Sequence, residues 1–189
     1  MPRKSRRNPE VSEFILRNVA DHPTSITSIA AKEFGLSRTA INGYTRQLIE
    51  DGFLSASGIK RGRRYELRTL VYKVYKIRTT ADTSEDVVWR FRILPLMINV
   101  EKNIADIAQY GFTEIFNNVI DHSASNECLI CYTQNYCEIT MFIIDYGIGI
   151  FQKIQQTFDL ADHRSALLEL SKGKITSDES RHSGEGIFF

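Results

Sequence analysis

Cysteine is scarce in this sequence, and the scarcity limits the chemistry open to it. There are three, Cys128, Cys131 and Cys137. The first two form a CxxC by spacing, but no second pair completes a zinc ligand set. Their surroundings alternate in polarity, so the segment reads as a strand bearing structural thiols. A secretory leader is missing too, because the basic start MPRKSRRNPEV has no apolar stretch behind it. An odd thiol count without a leader fits a reducing compartment. No hydrophobic run approaches the length of a membrane span. The expectation is a cytoplasmic chain with no membrane partner.

An excess charge of one sign is also absent, the formal net being only +1. That balance hides an asymmetry. Residues 1–78 carry 16 Lys/Arg against 7 Asp/Glu, a net of +9. Residues 79–189 carry 8 against 16, a net of −8. A basic unit followed by an acidic one suggests two tasks. The length of 189 residues allows two small domains, and 42% hydrophobic with 25% charged residues is ordinary for a globular chain.

In the basic half, PEVSEFILRNVA places apolar residues at 11, 14, 15 and 19, a helical stripe with Pro9 at its start. A break at Asp21, His22 and Pro23 follows. SITSIAAKEFG then reads as a helix ending at Gly35. LSRTAINGYTRQLIEDG reads as a second, capped by Ser37, with Ile41, Tyr44, Leu48 and Ile49 on its buried side. Gly43 within it costs about 1 kcal/mol relative to alanine. Two helices joined by a tight Gly-Leu-Ser turn suggest a helix-turn-helix.

The segment FLSASGIKRGRRYEL reads as a hairpin with a basic tip. The polar face of the second helix offers Arg38, Thr39, Asn42 and Arg46, side-chain types able to read base edges. Lys60, Arg61, Arg63 and Arg64 suit phosphates or the minor groove. This half resembles the winged helix-turn-helix domains of bacterial transcription regulators over roughly residues 9–69. The resemblance implies double-stranded DNA as partner. A protein-interaction domain with a solvated basic wing stays open.

VYKVYKIRT alternates like a strand, and Trp89 and Pro95 read as packing and turn residues. A division near 78–84 gives expected domains 1–78 and 79–189.

The acidic half carries three motifs. In GFTEIFNNVIDHS, residues 111–123, Glu114, Asn118 and Asp121 fall on one face of a mostly apolar helix, with His122 beside them. A carboxylate and an amide one turn apart can activate water and hold a hard cation through oxygen. CEITMFIIDYGIGIF then places Asp145 at a strand end before Gly147 and Gly149. A carboxylate there can accept from an exocyclic amine. RHSGEGIFF ends the sequence with Gly184 and Gly186, whose amides suit phosphate oxygens. The polar stretch before it reads as a lid, with Lys172, Lys174, Arg181 and His182 as its phosphate-facing charges. A solvated-loop reading competes for the two lysines.

The order ExxxNxxD, DxGxG, then a glycine-rich box resembles the Bergerat-type ATPases, which include DNA gyrase, a heat-shock chaperone, sensor histidine kinases and MutL. The match spans about residues 100–189. It implies ATP and Mg2+ as cofactors, with Asn118 on the metal and Glu114 as general base where water attacks. Asp145 would take the adenine amino group, and Asp121 would support the site. Gly147 and Gly149 would form its floor, and Gly184 and Gly186 would approach the phosphates. The last box, GEGIFF, departs from the usual Gly-x-Gly-Leu-Gly-Leu form, and family domains continue beyond it.

Nearly the whole sequence also resembles bacterial proteins described as ATP-binding regions with an N-terminal regulatory domain. The expected fold class is therefore α+β: a winged helix-turn-helix followed by an α/β-sandwich of Bergerat type that stops before its last strands. The expected function is an ATP-responsive DNA-binding transcriptional regulator, with hydrolysis left open. A serine or histidine kinase and a non-catalytic module on a decayed ATPase fold are the alternatives. A homodimer and a protein partner stay open.

Overall fold

The computed structural model describes residues 8–80 and 82–149, the Arg61 side chain excepted, with isolated positions at 152, 155, 156, 159 and 162. The fold is mixed α+β. The described elements run α1 (Pro9–Asn18), α2 (Ile26–Glu33), α3 (Arg38–Glu50), β1 (Leu54–Ser57), β2 (Arg64–Leu67), β3 (Val71–Arg78), α4 (Glu85–Val88), α5 (Lys102–His122), β4 (Glu127–Gln134) and β5 (Ile139–Asp145). Two compact units divide the chain. One comprises Met1–Tyr72 with Thr133–Thr140, the other Lys73–Tyr132 with Met141–Phe189.

In the first unit, Asn8 caps α1 by accepting from the Glu10 amide at 3.0 Å, and Pro9 follows at the position where no amide partner is needed. Ser37 caps α3 in the same way, accepting from the Ala40 amide at 3.1 Å. Between α2 and α3 the chain turns through Gly35, at φ 62°. Val11, Ile15, Leu16, Ile26, Ala30, Ile41 and Leu48 from the three helices meet Leu54 and Tyr65 in one core. On α3 the buried positions are Ile41, Thr45 and Leu48, while Tyr44 and Ile49 are half-buried beside the core. Thr45 can occupy the apolar face because its hydroxyl donates to the Asn42 carbonyl at 3.2 Å, which satisfies the buried group.

Strands β1 and β2 pair antiparallel, with Leu54 opposite Leu67 and Ala56 opposite Tyr65. Their tip contains a 3-10 turn, Lys60–Gly62. Lys60 stands there at φ 49°, a left-handed conformation that costs about 1–2 kcal/mol outside glycine. The Tyr65 amide donates to the Pro23 carbonyl at 2.8 Å, tying the hairpin to the connection between α1 and α2.

The second unit is built on α5, whose Phe112, Phe116 and Val119 are buried. Phe112 and Phe116, four apart, stack at 5.2 Å, and Trp89 lies against Phe112 at 5.5 Å. Trp89 belongs to a π-helical turn, Trp89–Ile93, and Pro95 to the 3-10 turn after it, so both act in packing and turning.

The strand order of the larger sheet is β3-β4-β5. Backbone bonds from Leu70 to Gln134 and from Thr79 to Asn126 flank the antiparallel pairing of β3 with β4. On β4, Cys128, Ile130, Tyr132 and Gln134 are buried and the intervening residues half-buried. Cys128 and Cys131 therefore point to opposite faces of the strand, which prevents the CxxC from closing on one ion. All three cysteines are free thiols.

Candidate functional site

Two constellations stand out. The first lies in the first unit, where α3 and the hairpin wall a groove of about 420 Å3. Arg38, Asn42 and Arg46 recur at every fourth position of α3, so they line one helix face, and all three are exposed. Lys60 and Arg63 close the groove from the hairpin, with the Arg63 guanidinium 5.3 Å above the Tyr65 ring. Five of the eight residues expected to meet nucleic acid thus converge.

The other three stand differently. Thr39 is exposed on α3 but is not part of the groove wall. Arg64 leans along its own strand to Glu66 at 2.8 Å, an exposed pair that partly occupies its charge. The side chain of Arg61 lies outside the described residues. Thr24, Thr27, Thr45 and Tyr65 also line the groove, and the sequence reading missed them. Thr24 lies in the turn before α2 and Thr27 in its first turn, and only the packing of α2 against α3 places them there. Among the described residues, no carboxylate lines the groove.

The second constellation joins α5 to the turn after β5. Glu114, Asn118 and Asp121 are half-buried on α5, and Asp145 is half-buried at the last position of β5. An Asp145 carboxylate oxygen, Oδ1, accepts from the Gly147 amide at 2.9 Å, which holds the side chain over its own turn. The Ile148 amide donates to the Ser123 carbonyl at 2.8 Å, and Ser123 caps the end of α5.

Gly147 is demanded by that contact, because a Cβ at this position would overlap the Ser123 carbonyl. Gly149 has φ +77°, where L side chains are strained. Both glycines of DxGxG thus have a backbone reason, one of space and one of dihedral angle. The turn is thus brought against Ser123, two residues past the end of ExxxNxxD.

Cys128 lies fully buried in the same unit. Burial first, and then the nearby Asp145 charge, push its thiol up to about 11. Asp121 and His122 both engage in further interactions. Among the described residues, no group of three or more His, Cys, Asp and Glu side chains could hold a metal ion. No described helix is long and apolar enough to cross a membrane. Lys172, Lys174, Arg181, His182, Gly184 and Gly186 lie outside the described residues.

No protein-family model matches the chain, no curated protein is significantly similar to it, and no solved structure matches it.

Proposed function

We propose that the chain is an ATP-responsive DNA-binding transcriptional regulator, with a winged helix-turn-helix reader before a Bergerat-type nucleotide domain. The observation that carries this reading is the convergence of Arg38, Asn42, Arg46, Lys60 and Arg63 on one groove that no carboxylate lines among the described residues. Cations concentrated there attract the phosphate backbone, and each phosphate neutralised makes affinity fall with salt. Asn42 and the two arginines of α3 supply the donors and acceptor that base edges recognise.

The nucleotide half is supported by the fastening of the Asp145–Gly149 turn to the end of α5. Asp145 uses Oδ1 on Gly147, and its other oxygen forms no hydrogen bond among the described residues, which suits an exocyclic amine. Asn118 offers a neutral amide oxygen on the face shared with Glu114, and magnesium commonly takes one or two protein ligands with waters and phosphates completing its six. The residues fit an ion that arrives with a triphosphate, and Asn118 would hold it. When bound, magnesium neutralises phosphate charge. Glu114, one turn away, would orient a water and take its proton if hydrolysis occurs.

Titration of the full chain with magnesium-ATP tests the nucleotide half. Binding that is lost in both Asn118→Ala and Asp145→Ala, yet largely kept in Glu114→Ala, is expected. The regulatory coupling requires that duplex DNA affinity differ between ATP, ADP and nucleotide-free samples. Equal affinity in all three would remove it.

A further inference from the structure

The groove of the first unit lies between the start of α2, α3 and the hairpin. Its volume of about 420 Å3 lies in the range of small-molecule sites, roughly 300–1,000 Å3. Its wall includes Thr27, only 8% exposed, in the first turn of α2. Neither the amide nor the hydroxyl of Thr27 forms a hydrogen bond among the described residues. Ser25, which precedes α2, makes no side-chain cap bond. The amides of Ile26, Ser28 and Ile29 donate to the His22 and Ser25 carbonyls, so among the described residues of this first turn it is Thr27 that offers a free amide at the positive end of the helix dipole.

Four cations line the same groove, Arg38, Arg46, Lys60 and Arg63, and none of them makes a salt bridge among the described residues. No buried side-chain oxygen or nitrogen lacks a partner among the described residues, so the unbonded Thr27 hydroxyl is the accessible part of a nearly buried residue. That hydroxyl, a free amide and four cations without a salt bridge are a donor set for a compact, multiply charged oxyanion. They exceed what one diester phosphate, with a single charge, can satisfy.

We propose that the groove is also a receptor for a free phosphorylated small molecule, its phosphoryl group on the amide and hydroxyl of Thr27, and that its occupancy excludes duplex DNA. The exclusion rests on the DNA reading above; the receptor does not. Because the ligand and the duplex draw on the same cations, each weakens the other by the same factor.

Inorganic pyrophosphate is the probe, titrated into the full chain by calorimetry, with displacement of a fluorescent duplex followed in parallel. Sodium chloride at matched ionic strength is the control for screening. Binding is expected to survive Asn118→Ala and the omission of magnesium, which separates it from the phosphate end of the nucleotide site. Thr27→Val, which keeps the shape but removes the hydroxyl, should weaken it about tenfold or more. Arg46→Gln, on the exposed face of α3, should weaken it similarly. Displacement of duplex should follow pyrophosphate occupancy and exceed the chloride control. Duplex binding with no pyrophosphate binding overturns the receptor. Pyrophosphate binding unchanged by both substitutions overturns it as well. Pyrophosphate binding with no duplex binding upholds the receptor and overturns the DNA reading with its exclusion.

Discussion

The Ile148 amide and the Ser123 carbonyl are joined at 2.8 Å, so the turn after β5 is fastened to the residue that caps α5. This bond requires the backbones to approach so closely that Gly147 has no room for a side chain. Gly147→Ala should therefore lower stability by on the order of 3 kcal/mol, since the obstacle is backbone and cannot rotate away. Gly149→Ala should cost less, about 1–2 kcal/mol, because only its dihedral angle is at stake. Urea unfolding of both variants checks the order, and a milder effect at 147 than at 149 would contradict it.

Ser37→Ala should destabilise the first unit by about 1 kcal/mol through loss of the α3 cap. Ser37→Asp should restore most of that loss. Thermal unfolding of the three proteins distinguishes a cap from a residue that is merely exposed.

The thiol of Cys128 is raised from 9.0 to about 11, chiefly by burial and then by Asp145. Burial raises the Tyr132 phenol from 10.0 to about 12 in the same direction. In each case the folded state holds its proton more tightly than the unfolded one. Their contribution to stability is thus complete below about pH 9 and declines as pH rises through 9 to 12. Denaturant midpoints should fall across that alkaline window, and Cys128→Ser with Tyr132→Phe should flatten the fall. Alkylation of the native protein at pH 8 should label the exposed Cys137 before the buried Cys128.

Lys60→Ala and Arg63→Ala should each reduce the salt slope of duplex binding by about one if each meets a phosphate. Asn42→Ala should instead cost about 1–3 kcal/mol on a preferred sequence and much less on others. Binding isotherms at several salt concentrations separate the two behaviours. Arg64→Ala should change little, because Arg64 already faces Glu66.

Much of the local structure was legible from periodicity. The stripe at 11, 14, 15 and 19 and the serine at 37 locate α1 and α3, and alternation locates β3 and β4. The positions of Asp145, Gly147 and Gly149 at the strand end and turn were legible as well. Spacing could not reveal that Ser123 makes Gly147 necessary, because residues twenty-four apart meet only through tertiary folding. The same limit hid Thr24 and Thr27, which look like ordinary polar residues at a helix start. Thr45 was unreadable for a different reason. Its hydroxyl is satisfied within its own helix, so a polar residue stands where the pattern leads one to expect an apolar one.

The bond from the Tyr65 amide to the Pro23 carbonyl spans the groove's two sources, the hairpin and the approach to α2. The groove's shape is thereby decided while the unit folds rather than at an encounter. An arriving anion meets a finished surface. Its capture rate then answers to diffusion and electric field, and its heat-capacity change to covered area alone.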